Sequence, residues 1–128
     1  MAALVALLVV ACAPTAPPSS GPGSGLLTLA PGQTSRVPGE ELQVRFDEVV
    51  SDSRCPSDVA CIQAGEAVVA VTVIGADRAR QRYEVHTSGA TSVVHAGLTI
   101  SCEGLDPRPV SSRPIRPSAY RLTLRVRR

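Results

Sequence analysis

The stretch Y-R-L-T-L-R-V-R, residues 120–127, alternates without interruption. Tyr120, Leu122, Leu124 and Val126 fall on one face, and Arg121, Thr123, Arg125 and Arg127 on the other. A period of two is that of a strand with one side on a core and one side in water. Working back along the chain, G-L-T-I-S-C (97–102), R-Y-E-V-H (82–86) and E-L-Q-V-R-F-D (41–47) repeat the pattern, with Leu98, Ile100, Tyr83, Val85, Leu42, Val44 and Phe46 as the apolar members. E-A-V-V-A-V-T-V-I (66–74) is apolar on both faces and rich in valine, as suits a central strand. Pro31-Gly32, Pro38-Gly39, Gly75-Ala76-Asp77 and Ser88-Gly89 punctuate these runs, and no segment holds a helical period. The expectation is an all-β fold of about seven strands, an antiparallel β-sandwich of Ig-like or small-barrel type. D-P-R-P-V-S-S-R-P-I-R-P (106–117) holds four prolines. It cannot pair inside a sheet, and is expected as an extended Greek-key return to the last strand.

Composition narrows the chemistry. The 128 residues carry a net charge of +2, and the basic side chains are all arginine. That charge is too mild and scattered for a nucleic-acid protein. Aromatic residues make up 2%, too few for a stacking platform, so the core must be aliphatic.

The N-terminus gives an address. Ala2–Ala11 is an apolar run too short to span a bilayer and fits the core of a signal peptide. It ends in V-V-A-C (9–12), which resembles the lipobox of bacterial lipoproteins. In that family the cysteine, here Cys12, receives a diacylglycerol and becomes the mature N-terminus. Met1–Leu4 departs from the pattern in lacking Lys or Arg. Residues 13–25, A-P-T-A-P-P-S-S-G-P-G-S-G, lack charge and large apolar groups and read as a tether reaching roughly 20–40 Å. The expected organisation is a signal peptide over 1–11, a lipidated Cys12 opening a tether over 12–25, and a β-sandwich over 26–128.

D-S-R-C-P-S-D-V-A-C-I-Q-A-G-E-A (52–67) brackets five residues between Cys55 and Cys61. Exported cysteines this close favour a disulfide. A thioredoxin-type pair has two intervening residues at a helix start. A zinc site needs four ligands, and His86 and His95 are distant. Cys102 shares a face with Leu98 and Ile100, which suits a buried free thiol. The alternatives are a bridge to Cys55, to Cys61 or to a second molecule.

Asp52, Arg54, Asp58 and Glu66 cluster around this loop and are the candidate ligand-binding residues. Carboxylates on a loop can hold Ca²⁺, but the dense acidic alternation of strong calcium loops is missing. Asp52 with Arg54 also reads as a turn cap with an ion pair. Ser53 lacks a nucleophile-elbow context, and neither histidine has a spacing that pairs with it. No catalytic residue, metal ligand or cofactor is expected. The arginine face of the last strand (Arg121, Arg125, Arg127, with Arg128) would suit anionic headgroups or cell-wall polymers, or simply solvent.

The same stretch resembles small bacterial lipoproteins with the pattern D-S-R-C-P-x-x-V-x-C-x-x-A-G-x-A. P-G-Q (31–33), L-x-P-x-P (105–109) and Y-x-L-x-L-x-V (120–126) also resemble that family's landmarks. Gln63 departs from the tryptophan such sequences often carry. The resemblance implies location and fold, and no reaction. The expected protein is a lipid-anchored, non-catalytic binding or structural module of the cell envelope. Its partners would be the membrane, through its lipid, and another envelope protein or a cell-wall polymer. The alternative is a metal-binding or enzyme-accessory protein using the loop carboxylates with a histidine.

Overall fold

The computed structural model describes residues 24–128; the expected signal peptide over 1–11, Cys12 and all but the end of the expected tether over 12–25 lie outside the described residues. Among the described residues, eight strands form two four-stranded antiparallel sheets. The first sheet has the order β1 (Ser24–Leu29), β8 (Arg121–Arg127), β7 (Leu98–Asp106) and β6 (Ser92–His95). The second has the order β2 (Thr34–Arg36), β3 (Gln43–Asp52), β4 (Ala67–Ile74) and β5 (Arg80–His86). The β-sandwich expected from the alternation is therefore present. Three-residue β2 is too short to show a period.

The order corrects one detail. β7 and β8 pair directly, so the proline-rich segment joins neighbours and is not a Greek-key return. β3–β4–β5 and β6–β7–β8 are two meanders, and β1 closes onto β8. This resembles a flattened up-and-down barrel. On one open seam, between β5 and β6, the Tyr83 hydroxyl lies 2.7 Å from His95 Nδ1, with the rings edge-to-face.

The predicted inward faces are inward. Leu29, Val44, Phe46, Val69, Val71, Val73, Val85, Leu98, Ile100, Leu122, Leu124 and Val126 are buried in one cluster. Such burial stabilises by about 25 cal/mol per Å² of apolar surface. Central β4 is buried on both sides, and its one buried polar side chain, Thr72, donates 2.6 Å to Asp47. Asp47 sits at a register shift of β3 between Phe46 and Glu48, and also accepts from Arg45 Nε at 2.6 Å.

Register fixes which end is which. Ser24 pairs with Arg127, and Leu29 with Leu122. The chain thus enters the sandwich at the end where β8 finishes. Asp52, Ala67, Asp106 and Tyr120 mark the opposite end, one strand length or roughly 20 Å away. Replacing Leu124 with Ala, at the centre of β8, should cost about 2–5 kcal/mol in urea unfolding, with the m-value unchanged.

Candidate functional site

The candidate residues all lie at that far end, Asp52 at the end of β3 and Arg54, Asp58 and Glu66 on its connection to β4. β3 and β4 extend their pairing into it: Ser53 N–H donates to the Glu66 carbonyl at 2.8 Å, and Cys55 N–H to Ala64 at 2.9 Å. Gly65 makes this close approach possible. Its φ is +64°, and a Cβ there would run into the Ser53 carbonyl oxygen. Beyond Cys55 the loop is closed by the disulfide to Cys61, as the spacing predicts.

Arg54 turns inward. Its Nε and Nη2 grip the two Asp52 carboxylate oxygens at 2.8 and 2.7 Å, a bidentate fork. Nη1 donates to the Leu105 carbonyl at 2.5 Å, and Nη2 also reaches the Pro107 carbonyl at 2.9 Å. The Tyr120 hydroxyl donates to Asp52 Oδ2 at 3.0 Å. Asp52 and Arg54 side chains are only 12% and 13% exposed. Residues from both sheets are thereby clasped: Asp52 from β3, Leu105 from β7 and Tyr120 at the foot of β8. Arg54 holds the Asp52 carboxyl below the usual carboxylate range, burial opposes this, and the Tyr120 hydroxyl reinforces it. Burial, then the Asp52 charge and hydrogen bond, push the Tyr120 phenol up.

The other two carboxylates are held separately. Asp58 accepts from the Ser111 hydroxyl at 2.5 Å and its backbone N–H at 2.9 Å, and those bonds lower its pKa. Ser57 N–H donates to the Pro109 carbonyl at 2.9 Å. The disulfide loop and the proline-rich connection are thus zipped together. Glu66 lies 3.0 Å from His86 Nδ1 and accepts from the Ser88 hydroxyl at 3.3 Å. Among the described residues, no three His, Cys, Asp or Glu side chains converge on a point where a metal ion could sit. Ser53 Oγ donates to the Glu66 carbonyl at 2.8 Å. Cys102 is a free, half-buried thiol packed on the core, and burial raises its pKa.

Of the candidate ligand-binding residues Asp52, Arg54, Asp58 and Glu66, each has an internal hydrogen-bond partner in the fold. The fold also redistributes the free positive charge. On the β8 face, Arg125 pairs with Glu103 at 2.6 Å, Arg128 with Glu40 at 2.7 Å, and Arg121 with the Ser118 and Tyr120 carbonyls. The side chains of Arg108, Arg113 and Arg116, on the proline-rich connection, are exposed and make no hydrogen bond or ion pair among the described residues. The comparisons add no relative: no protein-family model, curated protein or solved structure matches the chain.

Two predictions follow from this geometry. A carboxyl with a depressed folded-state pKa stabilises fully above its unfolded value, and that contribution drains away as pH falls through the folded value. Stability should therefore drop as pH falls below about 4, and Asp52→Asn should flatten that acid limb while losing about 2–3 kcal/mol at neutral pH, because Arg54 keeps its burial without its counter-charge. Urea unfolding from pH 2 to 7, in roughly unit steps, checks both parts. Separately, reducing the Cys55–Cys61 bridge should cost ~2 kcal/mol through the freed loop entropy. The core amides should stay protected, while exchange rises at Ser57, which donates across the zipper.

Proposed function

We propose that the chain is a lipid-anchored protein of the bacterial cell envelope whose folded part is a non-catalytic binding or structural module. The address rests on the sequence: the apolar run ending in V-V-A-C, the uncharged tether after Cys12, and the resemblance of residues 52–67 to a lipoprotein signature. One observation carries the presenting role. The tether joins the sandwich at one end, and the disulfide loop and proline-rich connection form the other. A domain anchored this way carries its 52–66 and 107–119 loops at the end farther from the anchor.

That far end has the make-up of a recognition surface. Its carboxylates are spent on internal bonds that fix the loops, while its exposed side chains remain available. Val59, Ile62 and Val110 are exposed apolar residues there, with Ile62 free of any cover. Recognition commonly uses loops held by a rigid scaffold in this way. Such a surface fits another envelope protein or a cell-wall polymer.

The address is tested by feeding an alkyne-tagged fatty acid to cells expressing the full chain. The wild type should take up label and sediment with membranes, and Cys12→Ser should do neither. A wild-type protein that stays unlabelled in the soluble fraction would overturn the reading.

A further inference from the structure

Four prolines and three arginines share the twelve residues 106–117, against a single acid, Asp106. The connection folds into a turn bridged between Val110 and Arg113, ending in a short 3-10 turn over Pro117–Ala119. Between its two limbs lies a cleft of about 330 Å³. Arg108, Arg113 and Arg116 stand around it, and Val110, Ile115 and Ala119 help to line it. Ile115 is half-buried against the core, so the floor is fixed from beneath. The side of the loop facing the disulfide is pinned through Ser111 and Pro109, and prolines restrict the rest.

We propose that this cleft binds an acidic segment of a partner protein, one that pairs carboxylates with an apolar side chain. Three guanidinium groups without internal partners present forked donors matched to carboxylates. They sit on a preorganised loop, so little ordering is lost on binding. The apolar floor selects within the anions. A sugar–phosphate polymer offers no alkyl group to cover Val110 and Ile115, whereas an acidic peptide with a leucine does. The protein's own membrane is disfavoured as the anion, because the tether enters at the other end of the sandwich. The proposal rests on the binding role above and names the chemistry of its ligand.

The test uses the full-length acylated protein in detergent and a fluorescein-labelled peptide of alternating glutamate and leucine, read by polarisation. Binding should be saturable and weaken as salt rises from about 50 to about 500 mM. The triple variant Arg108→Gln, Arg113→Gln, Arg116→Gln should bind at least about 10-fold more weakly, whereas Arg127→Gln at the tether end should bind as wild type. Reversing the three charges to glutamate should transfer preference to a lysine–leucine peptide, a gain that misfolding cannot produce. An all-glutamate peptide bound as tightly as the glutamate–leucine one would overturn the proposal. So would equal binding by the triple variant, absence of binding, or displacement of the glutamate–leucine peptide by an equal concentration of soluble glycerol phosphate, the headgroup chemistry of an anionic lipid. Acylation and membrane fractionation do not involve these arginines. Lost peptide binding with intact fractionation therefore overturns the cleft alone.

Discussion

A guanidinium group taken almost out of water must satisfy its donors or destabilise whatever holds it. Arg54 meets that constraint by spending Nε, Nη1 and Nη2 on Asp52 and on the carbonyls of Leu105 and Pro107. The consequences run through the far end of the molecule. β3 is fixed to the exit of β7, the cis Asp106–Pro107 bond lies within the clasp, and Tyr120 is drawn in as β8 begins. The two sheets share a continuous aliphatic core, but at this end they also share one polar knot.

The disulfide has a supporting part in that arrangement. It shortens the loop that leaves Arg54, so that Ser57 and Asp58 arrive beside Pro109 and Ser111. Gly65 lets the returning chain pass over the Ser53 carbonyl. The proline-rich connection is thereby held against the disulfide loop without belonging to either sheet. A loop fixed in this manner can display side chains with little entropic cost, which is why unpartnered arginines upon it carry more meaning than the same residues on a flexible tail.

The sandwich was legible because its signal is local. Alternation in residues 120–127 and 41–47 assigns inward faces without knowledge of any partner strand, and the Cys55–Cys61 bridge spans so few residues that its closure can be argued from spacing. The site was legible only in part. Asp52 and Arg54 are two residues apart, so their ion pair was one of the readings open to sequence. The partners that give it meaning are not local: Leu105, Pro107 and Tyr120 lie 51, 53 and 68 residues from the groups they bind. The same distance hid the Asp58–Ser111 contact, 53 residues apart. Arg125 and Arg128 look free in the sequence for the converse reason, since Glu103 and Glu40 are brought to them only by the fold.

The account stands on Arg54 being locked in the folded protein. Nitrogen-15 NMR of its side chain reads this directly. A locked fork predicts a slowly exchanging Nε–H and separate Nη resonances, because rotation about the Cζ–N bonds is frozen while four hydrogen bonds hold. A rapidly exchanging Nε–H with a single averaged Nη signal, like that of a free arginine, would contradict it.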